Sequence, residues 1–257
     1  MSDNLNAVDA SVERLLRQTQ LKEIGEAGRK RIEETRFLVI GAGGLGSPAL
    51  LVLAASGAKH ITVADFDNVA ISNLSRQFIH APESVGMNKA LSAAQALPRF
   101  NPQAQIEPVT RAMKSLETLL PYVERADIVL DCTDNLASRH LISRACLKAK
   151  KPLVFGAAVR YSGQVSVFDF RSPDSPCYRC LFDEDDAAND EKAAVFGVFT
   201  PLTSLVGTLQ AAEALKLAAG IGESLAGRLL LIDLLTMDFQ SLRVKRRANC
   251  PLCGQAH

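Results

Sequence analysis

The sequence carries no excess of either charge. Its 29 Lys plus Arg stand against 28 Asp plus Glu, a formal charge of +1, which argues against a protein whose main work is to coat nucleic acid or an anionic membrane. Its opening residues, MSDNLNAVDASVER, show no basic stretch leading into an apolar one. No secretory leader is therefore expected, and a reducing, cytoplasmic setting is the default. A continuous apolar span is lacking too. Residues 37–58 carry no charge, but Gly41, Gly43, Gly44, Gly46 and Pro48 interrupt them, a pattern that suits a short buried strand, a tight turn and a helix rather than a membrane crossing. No internal repeat or low-complexity tract stands out.

What is present is a chain of 257 residues, 47% hydrophobic and 22% charged. That is enough to bury one large core or two modest ones, and it excludes disorder and fibrous repeats. The six cysteines do not suit a disulfide framework in a reducing compartment. Cys132 and Cys146 stand alone, whereas Cys177/Cys180 and Cys250/Cys253 form two CxxC pairs. Two such knuckles complete one tetrahedral site when the fold joins them. Four thiolates leave no open position for water, so a structural zinc ion is expected there.

Hydrophobic periodicity divides the chain. Residues 1–35 read as an arm of one or two amphipathic helices, with Val12, Leu15, Leu16 and Leu21 set among charges. Residues 36–150 alternate strands and helices: strands Arg36 to Ile40, Lys59 to Asp65, Gln105 to Val109 and Ala126 to Asp131, helices to about Ser56 and from about Asn88 to Pro98. This predicts a Rossmann-like, doubly wound α/β sheet. Residues 151–257 change texture. Leu153 to Val159, Gly163 to Asp169, Leu229 to Asp233 and Phe239 to Val244 lie beside turn signals, which predicts a mixed, antiparallel half, with a helix from about Thr203 to Ala219. Asp183 to Lys192 is a polar, acidic stretch within a loop spanning about 182–197, and it is expected to be mobile.

The chemistry concentrates at strand ends. Gly41 to Gly46 spells GAGGLG between a strand and a helix, where a sharp turn can bring N–H groups and a helix N-terminus against a phosphate. The acid expected to hold a ribose hydroxyl is Asp65, in ADFD. Beyond it, Asp67, Asn73, Arg76, Gln77 and Lys89 supply polar and cationic groups suited to a polyphosphate. The fourth strand ends in DCTDN, leaving Asp131, Asp134 and Asn135 at the carboxyl edge of the sheet, where open α/β proteins bind ligands. Asp134 could hold magnesium; taken alone, it would equally serve as the cap of a helix beginning near Leu136.

GAGGLG, ADFD, SNLSRQ, Lys89, DCTDN, the two CxxC pairs and RLLRQ in the arm occur in one order. Together, from about Arg14 to Gly254, they resemble the bacterial MoeB/ThiF family of ubiquitin-activating-like adenylyltransferases. The resemblance implies that ATP and magnesium are used to adenylylate the C-terminal Gly-Gly carboxylate of a small ubiquitin-like sulfur-carrier protein, in molybdenum cofactor or thiamine biosynthesis. It implies that Gly44 approaches the phosphates, that Asp65 takes the ribose, and that Ser72, Asn73, Leu74, Ser75, Arg76, Gln77 and Lys89 surround the nucleotide. Asp134 would be the metal-linked catalytic carboxylate, and Arg17 would reach ATP from the other subunit of a homodimer, with Arg14 as its companion. The ThiF branch has a cysteine in the crossover loop that links covalently to the carrier. Here Ala193 or a neighbour occupies that region, and no cysteine lies between Cys180 and Cys250, which favours the MoeB branch. With the chain ending soon after the second CxxC pair, sulfur is expected from a separate donor such as a cysteine desulfurase. Two rival readings are a carrier-binding module with little catalysis and an NAD-dependent oxidoreductase. The second would need a catalytic acid, and the four histidines occupy no obvious catalytic setting.

Overall fold

The structure, a computed structural model, describes residues 12–182 and 196–254. Its centre is an eight-stranded sheet in the order β3-β2-β1-β4-β5-β6-β7-β8. The strands are β1 (Arg36–Ile40), β2 (His60–Ala64), β3 (Gln105–Val109), β4 (Ile128–Asp131), β5 (Pro152–Val159), β6 (Ser162–Asp169), β7 (Arg228–Asp233) and β8 (Asp238–Arg243). The first five are mutually parallel, and β6, β7 and β8 continue the sheet antiparallel. The change of texture near residue 151 is thus the change from parallel to antiparallel pairing.

Helices cover both faces. They are α1 (residues 12–19), α2 (Gly25–Glu34), α3 (Gly46–Ala55), α4 (Lys89–Ala96), α5 (Leu116–Arg125), α6 (Leu136–Ala149) and α7 (Thr200–Ala219). Side chains of a strand alternate between faces, and β1 feeds two cores. Phe37 and Val39 pack with Leu50 and Leu53 of α3 and Leu202 and Val206 of α7, while Leu38 and Ile40 pack with Leu119 of α5 and Ile142 of α6. With two covered faces, β4 is buried at every residue. β8, at the sheet edge, is exposed at every residue. Helix α7 lies close against the turn into α3, where a Cβ at Gly207 would overlap the Leu45 carbonyl oxygen.

Element bounds agree with the sequence reading to within a few residues, and the exceptions have causes. Helix α7 starts at Thr200 rather than Thr203, since Pro201 suits the first helical turn. Helix α5 was not anticipated. Its Pro121 interrupts the helical pattern, while its start is fixed by a capping box between Ser115 and Thr118. The described part of the arm forms two helices, but of its expected apolar face Leu15 is buried while Val12, Leu16 and Leu21 are exposed. Arg14 donates to the Phe100 carbonyl and to Asn101 Oδ1, so it anchors the arm to its own chain. The acidic stretch Asp183 to Lys192 and Ala193 lie outside the described residues.

Candidate functional site

Strand order reverses between β1 and β4, and in open α/β sheets ligands bind outside the carboxyl ends of the strands at such a point. A cleft of about 1000 Å³ opens there. Its floor is the glycine loop. Gly41 has φ 97°, and a Cβ on it would lie 2.6 Å from the Cys132 carbonyl oxygen. A Cβ on Gly46 would overlap the Gly41 carbonyl. These two glycines let the loop fold against itself and against β4. Gly46 does not line the cleft, whereas Gly41, Gly43 and Gly44 do. The N–H groups of Gly43 and Gly44 meet no acceptor among the described residues, as a phosphate-binding loop requires.

Asp65 is tied to that loop. Its Oδ2 accepts from the Ala42 N–H at 2.8 Å and its Oδ1 from the Asp67 N–H at 2.9 Å. Burial pushes its carboxyl up and these hydrogen bonds oppose the shift. Lys89 opens α4, whose N-cap Asn88 accepts from Ala90 and Leu91 N–H and donates through Nδ2 to the Asp65 and Asp67 carbonyls. The Lys89 side chain is 10% exposed, with Nζ 3.0 Å from Asp67 Oδ2. In this state Asp67 is the counter-ion of the lysine. Arg76 Nη1 donates to the Ser72 carbonyl at 3.1 Å, and Asn73 Oδ1 accepts from Ala70 N–H. Gln77 is buried, and its Oε1 meets no donor among the described residues. Arg76, Asn73 and Gln77 line the cleft; Ser72, Leu74 and Ser75 do not. The short helix Ile71–Asn73 and the turn after it point successive residues in different directions.

At the end of β4, Asn135 rather than Asp134 caps α6, accepting from the Ser138 N–H at 2.9 Å. Asp134 is exposed and lines the cleft. Asp131 is buried and braced by the Thr133 N–H and hydroxyl. Two further arginines, Arg111 and Arg139, also line the cleft. Arg139 donates to the Thr133 carbonyl at 3.1 Å and stacks 5.5 Å from the Phe155 ring. Lone arginines carry no motif, but Arg111 closely follows the end of β3 and Arg139 lies in the first turn of α6, the helix that leaves β4, positions that could have pointed to them. Arg17 is exposed on α1 and does not line this chain's own cleft.

The four paired cysteines meet between the turn after β6 and the C-terminal turn. Their sulfurs lie within 4.8 Å of one another, with Cys177–Cys180, Cys177–Cys250 and Cys180–Cys253 separations of 3.9, 3.6 and 3.4 Å. Four thiolates about 2.3 Å from one tetrahedral zinc would stand roughly 3.8 Å apart, so the donor set fits. The Cys177 thiol is pushed up, chiefly by its hydrogen bond to Cys180. That same bond, aided by the Arg247 N–H, holds Cys180 down to about 4, while burial lifts Cys253 to about 11. A dication would relieve this opposition. Cys132 and Cys146 are buried in the two cores, and burial pushes both thiols well up. Cys132 borders the cleft with its Sγ–H donating to Gln210 Oε1, and burial keeps both thiols from the electropositive setting that favours a thiolate.

Known proteins resemble this chain in sequence and in fold. The chain is 40% identical over 250 residues to the molybdopterin-synthase adenylyltransferase of Escherichia coli K12, covering 96% of this chain and 98% of that protein. It is 42% identical over 250 residues to the sulfur carrier protein adenylyltransferase of Thermus thermophilus, covering 95% and 91%. The crystal structure of E. coli MccB with ATP superposes with a TM-score of 0.79 at 21% identity, over 89% of this chain and 68% of that one, which bears on the fold alone. The model of the ThiF family matches residues 15–252, a range that holds the glycine loop, the cleft and three of the four paired cysteines, and the chain belongs to that family.

Proposed function

We propose that the chain is an adenylyltransferase that uses ATP to activate the C-terminal Gly-Gly carboxylate of a ubiquitin-like sulfur-carrier protein. The observation that carries this reading is the convergence, in one cleft at the sheet's switch point, of the glycine loop, Asp65, Asp134 and the cations Arg76, Lys89, Arg111 and Arg139. The names of the relatives support the class of reaction and of substrate. A carboxylate oxygen of the carrier attacks the α-phosphorus of ATP, an acyl–phosphate bond forms, the α–β bridging bond breaks, and pyrophosphate leaves with the electron pair. Anion meets anion in that step, so fixed cations offset the repulsion and stabilise charge gathered in the transition state. Arg76 and Lys89 carry that role, with the loop N–H groups beside them. The carrier terminus is itself the nucleophile, so no Ser or Cys of this chain is needed.

Residues 36–150 form the nucleotide half in this reading, and residues 151–257 the carrier half; most of the loop 182–197 lies outside the described residues. Asp134 would hold magnesium, which supplies positive charge to the phosphates. Cys177, Cys180, Cys250 and Cys253 would hold a structural zinc that ties the β6 turn to the C-terminal turn. The chain acts as a cytoplasmic homodimer in which Arg17 reaches the partner's cleft. Its exposure, beside the exposed Val12, Leu16 and Leu21 of the same arm, supports a surface that meets a second copy. A separate donor such as a cysteine desulfurase then supplies sulfur to the adenylate, in molybdenum cofactor or thiamine synthesis. Mass spectrometry of a Gly-Gly carrier after incubation with enzyme, magnesium and ATP should show the carrier gaining one adenylyl group. An adduct on Cys132 or Cys146 instead would return the protein to the covalent mechanism of the ThiF branch.

A further inference from the structure

His80 lies beneath the glycine loop and is 6% exposed. Its Nε2 is 2.9 Å from the Ala42 carbonyl oxygen and its Nδ1 is 2.8 Å from Ser92 Oγ. A carbonyl oxygen only accepts, so Nε2 carries the proton. The ring is buried, and burial together with the charge of Lys89 disfavours the imidazolium, while the Ala42 carbonyl and Asp65 oppose that shift. A neutral ring has one N–H, which leaves Nδ1 to accept from the Ser92 hydroxyl. Ser92 stands on α4, one turn after Lys89. The ring therefore joins the glycine loop to the helix that presents the lysine.

The bond to Ala42 also aims the loop. In a planar trans peptide the C=O of one residue and the N–H of the next point in opposite directions, and no peptide among the described residues is cis. Fixing the Ala42 carbonyl on His80 turns the Gly43 N–H away from the ring, toward the cleft that Gly43 lines. The Ala42 N–H, one peptide earlier, is held by Asp65. We propose that His80 is a positioning residue for the nucleotide: as the neutral Nε2–H tautomer, fixed by Ser92, it holds the Ala42–Gly43 peptide so that the Gly43 N–H meets a phosphate oxygen. This rests on the nucleotide reading of the cleft and extends it to a residue outside the phosphate-binding motif.

The test is direct ATP binding by calorimetry, together with KM for ATP and kcat in pyrophosphate exchange, for wild type, His80→Ala, His80→Gln and Ser92→Ala. Loss of one neutral hydrogen bond corresponds to about a three- to tenfold weakening. His80→Ala should weaken ATP by that factor and raise KM more than it lowers kcat. His80→Gln keeps an N–H donor, so it should recover most of the affinity, and Ser92→Ala should fall between. Imidazole ¹⁵N shifts should show Nε2 protonated and Nδ1 bare at neutral pH. Unchanged ATP affinity in folded His80→Ala, no recovery in His80→Gln, or an Nδ1–H ring would each overturn the proposal. If His80→Ala does not fold, Ser92→Ala and the tautomer decide. Failure of the wild type to bind ATP at all would instead overturn the nucleotide reading, and the role of His80 with it.

Discussion

At the scale of single residues, the account rests on charge placed where charge develops. Lys89→Ala, Arg76→Ala and Asp134→Ala should each lower the adenylylation rate constant by about tenfold to a thousandfold, the usual range for losing one charge-stabilising group. Stopped-flow pyrophosphate release, with circular dichroism to confirm the fold, checks this; near-normal rates would remove the residue from the site. His80 brings a pH dependence whose sign can be worked out. Its folded pKa lies below the ordinary 6.5 because burial, and then Lys89, disfavour the charged ring. As pH falls below 6.5 the unfolded chain takes up a proton that the folded chain refuses. The stability is therefore full above that pH and declines toward the lower folded pKa. His80→Gln should flatten the fall of melting temperature as the pH drops below about 6.5. Much of the site was legible because its chemistry is local: Gly41, Gly43, Gly44, Asp65, Arg76 and Lys89 are read from short motifs, and all line one cleft. His80 was not legible as a positioning group, since its partners Ala42 and Ser92 are distant in sequence or carry no pattern.

At the scale of elements, the close contact of α7 with the turn into α3 sets the position of the glycine loop. Gly207→Ala would press a methyl group on the Leu45 carbonyl and should cost about 1–3 kcal/mol by overpacking. Thermal unfolding reads that cost, and weaker ATP binding would accompany it if the strain reaches the loop through Leu45. The strands were legible because uncharged runs such as FLVI and IVL suit burial on both faces. Helix α5 was hidden by Pro121. The arm shows the limit of periodicity: Leu15 packs against Gly57, but Val12, Leu16 and Leu21 stay exposed, since an apolar stripe does not name the surface that covers it.

At the scale of the whole molecule, the cysteine cluster and the arm make claims that one chain alone does not display. Metal analysis should find one zinc ion per chain, and Cys177→Ser should lower the melting temperature more than it lowers the rate of the surviving folded enzyme; a metal-free preparation of full stability would count against the site. Mixing inactive Arg17→Ala with inactive Asp134→Ala subunits should restore partial activity in hybrid dimers, whereas no rescue would mean that each site is built within one chain. The central claim is that this cleft joins ATP to a carrier's terminal carboxylate, and the direct measurement is ATP/pyrophosphate exchange with a panel of Gly-Gly carriers and their truncations. Exchange should depend on a carrier and vanish when its terminal glycine is removed. Exchange without carrier, or none with any carrier while NAD binds and turns over, would contradict the account.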